Sequence, residues 1–189
     1  MTVFVAVTGA SGATYADRAL RALTEHAVEV WATITPTAAD IVRHELRLAP
    51  RELGGPTANI TWYACDDLSA PPASGSSCPD AMLVVPCSMG TLGRIAAGTG
   101  ETLVTRAADV CLKERKPLVL VPRETPLSLI HLRNMTALTE AGAVILPACP
   151  HFYAQPETIH DLADTVVARA LVHLGLPTVD QPRWSPSER

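Results

Sequence analysis

Five short apolar runs, each cut off by a glycine or proline turn and each followed by a stretch of helical spacing, limit most strongly what this chain can fold into. Residues 3–7 stop at Thr8-Gly9, residues 28–34 at Thr35-Pro36-Thr37, residues 82–85 at Pro86, residues 118–121 at Pro122 and residues 144–146 at Pro147. Between and after them the spacing predicts helices over 13–23, 38–46, 92–114, 126–140 and 157–174. Strands that are apolar along their whole length are buried on both faces, so the alternation calls for a mostly parallel sheet covered by helices on each side. The fold class is therefore α/β, a three-layer domain with right-handed crossovers. A domain is expected over residues 1–176, with 177–189 a Pro- and Trp-containing tail that packs near the functional site or on a neighbouring subunit. Residues 48–79, rich in Pro, Gly, Ser and Ala, should hold one or two strands and a functional loop, since a structureless excursion of that length is uncommon in a compact domain.

Charge and cysteine usage narrow the function. A formal net charge of −4, with no Lys/Arg-rich run, argues against nucleic-acid binding. No apolar stretch reaches the roughly 18 to 20 residues of a membrane span, so no membrane partner is expected. The five cysteines form no C-x-x-C pair, and no secretory leader precedes the first strand, which fits a reducing cytoplasm. The six histidines show no H-x-x-x-H or H-E-x-x-H spacing, and no metal is expected.

Ligands of a parallel sheet collect outside the carboxyl ends of its strands. The loops there read Thr8-Gly9-Ala10-Ser11-Gly12, Thr35-Pro36-Thr37, Pro86-Cys87-Ser88-Met89-Gly90-Thr91, Pro122-Arg123-Glu124-Thr125-Pro126 and Pro147-Ala148-Cys149-Pro150-His151-Phe152-Tyr153. Glycines and small hydroxyl residues at helix starts suit phosphate, because free backbone N–H groups, hydroxyls and the helix dipole all favour an anion. Singly, each such loop reads as an N-cap; together at one edge they point to a ligand. The first turn lacks G-x-G-x-x-G spacing and a Gly-Lys-Ser/Thr, and Thr35-Pro36 stands where a dinucleotide enzyme places its acidic ribose ligand, leaving a mononucleotide.

Among charged residues, Arg106, Lys113, Arg123 and Arg169 lie in or beside apolar segments and serve either a phosphate or a carboxylate; Asp109 is such a partner for Arg106. Arg123-Glu124 sits between two prolines that restrict the backbone, which marks the pair as positioned. Glu45 and Glu124 are the acid/base candidates, with a plain helix-surface role as the alternative for Glu45. Cys87 and Cys149 read as small buried side chains rather than nucleophiles, and His131, within Ile130-His131-Leu132, as a core histidine.

Three stretches taken together resemble the UbiX/Pad1 flavin prenyltransferases: Thr8 to Ala13, Pro86 to Leu92, and the run from Thr105 through Arg115 to Pro122-Arg123-Glu124 and on to Asn134-Met135. The resemblance extends to about Leu176 and includes Ala70 to Ser76 and Phe152-Tyr153. It implies a flavodoxin-like (Rossmann-like) domain that binds reduced FMN and joins to its N5 and C6 the dimethylallyl group of dimethylallyl phosphate, giving prenylated FMN for a UbiD-type decarboxylase. It further implies a homo-oligomer, a dodecamer with FMN at subunit interfaces. Carried over by position, Gly9, Ala10, Ser11, Thr35, Ser88, Met89, Gly90, Thr91, Arg106 and Arg123 contact the flavin. Ser74, Lys113, Arg123, Tyr153, Arg169 and Trp184 hold the prenyl donor, and Ser11, Glu45 and Glu124 handle protons. Thr35 replaces a common serine, Pro36 a usual lysine, and Leu68 a tryptophan of some members. Two other readings are a flavin-dependent cysteine decarboxylase, whose early catalytic histidine and Asn-rich motif have no match here, and a non-catalytic flavin carrier, which would not require a second phosphate site.

Overall fold

The computed structural model describes residues 1–26, 28–56 and 58–176; the tail 177–189, and Trp184 with it, lies outside the described residues. Among the described residues six strands form one sheet, β1 (Thr2–Val7), β2 (Glu29–Ile34), β3 (Ile60–Trp62), β4 (Ala81–Cys87), β5 (Leu118–Pro122) and β6 (Val144–Ile145), in the order β3-β2-β1-β4-β5-β6. Every strand pairing is parallel. The order reverses between β1 and β4, which makes their carboxyl ends the switch point where a doubly wound sheet opens a crevice. Without the three-residue β3 the order is the five-stranded flavodoxin one, as the resemblance implies.

Alternation along β1 sorts the core into two layers. Val3, Val5 and Val7 face one side and pack with Ala13, Ala16 and Leu20 of α1 (Ala13–Glu25), Val42 of α2 (Pro36–Leu46) and Val166 and Val167 of α6 (Ile159–His173). Phe4 and Ala6 face the other, against Leu92 of α3 (Met89–Ala96), Val104 and Ala107 of α4 (Leu103–Lys113) and Leu138 of α5 (Leu129–Glu140). All seven residues of β4 are buried, as a central strand covered on both faces must be. No helix among the described residues is long and apolar enough to cross a membrane.

Three details depart from the sequence reading. The helix expected over 92–114 is two, because Gly98 takes a left-handed conformation (φ 69°) and Thr102 then caps a new start; the apolar spacing runs on across the break and hides it. Pro86 lies inside β4 rather than ending it, and Pro36 is the first residue of α2, where a missing N–H costs nothing. Residues 48–79 hold, among the described residues, one strand, β3, and short 3₁₀ turns including Pro71–Ala73 and Gly75–Ser77, within the one or two strands expected there. His131 is no core residue: its Nδ1 accepts the Ser128 N–H while its own N–H donates to Ser128 Oγ, closing a capping box at the start of α5.

Candidate functional site

The loops at the carboxyl ends of β1, β2, β4, β5 and β6 are tied into one row. Buried Thr8 is the rivet at the switch point: its hydroxyl donates to the Pro86 carbonyl at 2.8 Å and accepts the Ser88 N–H at 2.8 Å. Thr35 N–H donates to the Val7 carbonyl, Arg123 N–H to Cys87, and Ala148 N–H to Pro122. The β1 and β2 loops also touch, since a Cβ on Gly9 would stand 2.8 Å from Thr37 Cγ2. Thr8 and Thr37 were legible in the sequence only as members of these loops; the cross-ties were not, because a small residue at a strand end reads as turn chemistry whether or not it bridges two strands.

Three helices begin at this row. Thr35 caps α2, its Oγ1 accepting the Ala38 N–H, and Ser88 caps α3, its Oγ accepting the Thr91 N–H at 3.2 Å and lying 3.0 Å from Thr91 Oγ1. Met89 and Thr91 are buried while Gly90 is exposed, so the α3 start presents backbone outward. Helix α1 differs, for its N-cap is Gly12, held at φ 106° where a side chain is strained and unable to cap. The orphan amides of Gly12 and Ala13 donate instead to Glu45 Oε2, at 2.9 and 2.8 Å. Glu45 stands in the last turn of α2, the wrong end of its own helix for an anion, but against the favourable end of α1. Partial burial opposes its ionisation; the Ser11 hydroxyl, the Ala13 and Gly12 amides and the Arg123 charge outweigh that and hold its carboxyl below the usual range.

Arg123 reaches across from β5, its Nε donating to the Ser11 carbonyl at 2.9 Å. Gly9, Ala10, Ser11, Thr35, Glu45, Ser88 to Thr91 and Arg123 thus lie along one edge. Exposed Glu124 is beside them, with Thr125 N–H donating to its Oε1 at 3.0 Å. In the loop after β6, half-exposed Tyr153 stacks on His151, centroids 3.9 Å apart and planes within 7°.

The other cations lie elsewhere in the same chain. Arg106 does what its spacing allowed, facing Asp109 at 3.6 Å and donating from Nε to the Ala73 carbonyl at 3.1 Å. Lys113 pairs with Glu114 in the last turn of α4, a helix that runs back toward the amino ends of the strands. Gly75 backs onto this pair, since a Cβ there would stand 2.7 Å from Lys113 Nζ, and Ser74 is next to it, its Oγ 3.1 Å from Ser76 Oγ. Arg169 is exposed late in α6. At about 1.5 Å of rise per residue, Lys113 and Arg169 each stand roughly 15 Å along a helix from its start. Arg123 and Tyr153, by contrast, lie in strand-end loops.

Burial pushes the Cys87 thiol up to about 12, which removes it as a nucleophile. Cys149, read from sequence as buried, is exposed in the loop that packs on the β5 end.

The Flavoprotein family model matches residues 1–171. Flavin prenyltransferase UbiX of Pseudomonas aeruginosa is 47% identical over 194 residues, covering 96% of this chain and 93% of that protein. The crystal structure of AnUbiX (PadA1) in complex with FMN and dimethylallyl pyrophosphate superposes with a TM-score of 0.92 at 43% identity, covering 99% of this chain and 98% of the other. A dodecameric FMN-dependent Ubix-like decarboxylase from Escherichia coli O157:H7 does so with a TM-score of 0.90 at 41% identity, covering 98% and 100%.

Proposed function

This chain belongs to the flavoprotein family and, within it, to the UbiX-type flavin prenyltransferases, and from that premise we propose that its sheet edge binds reduced FMN and prenylates it with dimethylallyl phosphate. The observation that carries the reading is one row of strand-end loops that combines helix starts, hydroxyls and Arg123 with an ionised Glu45.

The edge suits a phosphorylated flavin on its donor chemistry. It offers the first-turn amides that the N-caps do not take, Thr37 in α2 and Met89 and Gly90 in α3, with the hydroxyls of Ser11, Thr35 and Ser88 and the Arg123 guanidinium, and the α1 amides already donate to an anionic oxygen of Glu45. Gly9, Ala10 and Ser11, Thr35, and Ser88 to Thr91 would hold the flavin, with Arg123 across from them. Reduced FMN supplies N5 and C6 as the positions to be alkylated. The C–N bond would form at N5 as the allylic C–O bond breaks and phosphate leaves with the bonding electrons; the C–C bond would form at C6 at the expense of the prenyl π bond, one proton adding to the neighbouring alkene carbon and one leaving C6.

What the chain contributes is charge placement and proton handling. Glu45, fixed on the Ser11 hydroxyl, accepts the proton lost at N5 through that hydroxyl. Arg123 and the Tyr153 phenol meet charge that develops on the departing phosphate, and Glu124 exchanges a proton with it. Lys113 and Arg169, which this chain holds away from its own edge, reach the donor phosphate from neighbouring copies in a dodecamer, and Ser74 and Arg106 travel with Lys113 on the same surface. The exposed apolar start of α5, with Leu129 60% and Ile130 68% accessible, is the kind of surface such an assembly covers. The product passes to a UbiD-type decarboxylase, and five free cysteines suit a reducing cytoplasm.

The test is anaerobic. Protein loaded with FMN, reduced and mixed with dimethylallyl phosphate should release a flavin heavier by one prenyl unit and changed in spectrum. Intact, FMN-loaded protein that returns only FMN would sink the proposal.

A further inference from the structure

Thr8 is 1% accessible and its side chain cannot meet a ligand, yet it holds two strand-end loops against each other. Its backbone N–H and its hydroxyl both donate to the Pro86 carbonyl, at 3.3 and 2.8 Å. The hydroxyl oxygen in turn accepts the Ser88 N–H at 2.8 Å. The Thr8 carbonyl accepts the Ala10 N–H at 2.8 Å, so the turn after β1 and the turn after β4 meet on one residue. Packing does not explain the hydroxyl. A valine at position 8 would have the same shape without burying a polar atom, and the Pro86 carbonyl would keep its bond from the backbone N–H. What the hydroxyl alone supplies is an acceptor for the Ser88 N–H.

That one bond decides how the start of α3 is presented. With the Ser88 N–H turned inward, the Ser88 hydroxyl accepts the Thr91 N–H at 3.2 Å and its carbonyl the Leu92 N–H at 2.9 Å. The first-turn amides that these bonds do not use are those of Met89 and Gly90, and Gly90 is exposed. A pair of amides aimed at a ligand binds well when it is already in place, because ordering it on arrival subtracts from affinity. Thr8 fixes the pair from 80 residues away in the chain.

We propose that Thr8 is a positioning residue for the flavin: its buried hydroxyl sets the Ser88 backbone, and through it the unused Met89 and Gly90 amides, before FMN binds. The inference rests on the reading of residues 88–91 as part of the flavin site. Thr8 touches neither flavin nor donor in this role and acts through Ser88 alone.

The experiment compares Thr8→Val, Thr8→Ser and Ser88→Ala in the full assembled chain. Thr33→Val is the matched loss of a buried hydroxyl elsewhere, since it removes the bond from Thr33 Oγ1 to the Tyr63 carbonyl. FMN affinity is read by fluorescence quenching, Tm of FMN-free protein by circular dichroism, and kcat and the donor KM at saturating FMN. Thr8→Val should weaken FMN binding roughly tenfold, the size of a lost hydrogen bond, with the donor KM within about twofold. Thr8→Ser keeps the hydroxyl and should bind FMN within about twofold of wild type, even where loss of the methyl lowers Tm. Thr33→Val should lower Tm and leave FMN affinity unchanged. Should Thr8→Val not fold, hydrogen exchange of FMN-free wild type decides: the amides of Ser88, Thr91 and Leu92 should already be protected, and fast exchange there overturns the proposal. If neither Ser88→Ala nor Thr8→Val weakens FMN binding, the reading of residues 88–91 fails and the role of Thr8 with it. If Ser88→Ala weakens it but Thr8→Val does not, or Thr8→Ser fails to rescue, or Thr33→Val weakens it as much as Thr8→Val, the positioning role alone is overturned.

Discussion

Glu45 and Ala13 join the end of one helix to the start of another: the Glu45 carboxylate accepts the Ala13 N–H at 2.8 Å, with the Gly12 N–H alongside. Because Gly12 cannot cap α1 itself, this long-range contact serves as the cap, and it fixes the same carboxylate beside Ser11. Glu45→Ala should cost about 0.5–2 kcal/mol of stability, the range of a lost N-cap. It should also slow prenyl transfer by roughly 10²–10⁴, as loss of a proton acceptor does. Glu45→Gln separates the two roles, since it keeps an acceptor oxygen: thermal stability should largely return while single-turnover rates stay low. A Gln variant with near-normal rates would make Glu45 a structural cap only.

The pH dependence of that contact has a definite sign. The folded carboxyl titrates below its ordinary value, through the Ser11 hydroxyl, the Ala13 and Gly12 amides and Arg123 acting against burial. Its stabilisation is then complete above the ordinary value of 4.5 and lost as pH falls through the lower folded value. The Tm gap between wild type and Glu45→Ala should be flat from about pH 8 to about pH 6 and narrow on acidification below about pH 4.5. A gap that widens in acid contradicts the geometry.

Close contact between the β1 and β2 loops leaves no room for a side chain at position 9. A Cβ there would stand 2.8 Å from Thr37 Cγ2 and 2.9 Å from Thr37 Cβ. Gly9→Ala should therefore push the two loops apart, cost about 1–3 kcal/mol as overpacking does, and weaken FMN binding measured by fluorescence titration. Thr37→Ala should not rescue it, because the Cβ clash remains; Thr37→Gly should, at about 1 kcal/mol of helix propensity. Rescue by Thr37→Ala would show that the methyl alone was at fault.

The sheet, its parallel sense and the row of strand-end loops were legible because apolar runs and their stops are local. What was not legible depended on partners far along the chain. Glu45 looks like a surface residue of α2 until α1 arrives from 32 residues away. Thr8 looks like part of a turn until Pro86 and Ser88 come to it across 78 and 80 residues. The break between α3 and α4 was masked because both bury the same face against the sheet, so periodicity persists through Gly98 and Thr102. Motif matching named Lys113 and Arg169 as donor ligands, but which copy of the chain supplies a side chain is not written in a motif.

That last point yields a prediction about assembly. Leu129, Ile130 and Leu132 are 60%, 68% and 46% accessible on the first turn of α5, flanked by a capping box that holds the turn whatever covers it. Each such side chain contributes about 1.5–3 kcal/mol when buried, and a carboxylate in its place is costly to desolvate. Leu129→Glu/Ile130→Glu should therefore give a folded chain, by far-UV circular dichroism, that sediments as a smaller species than wild type. The same variant should lose prenyl transfer, because the donor cations of neighbouring copies no longer reach the edge that holds Arg123. Adding a second, active-site-dead chain with an intact α5 surface should not restore it. A variant that keeps the full assembly would place this surface outside the subunit interface; one that dissociates yet keeps full activity would show that a single chain completes the site, and Lys113 and Arg169 would then need another role.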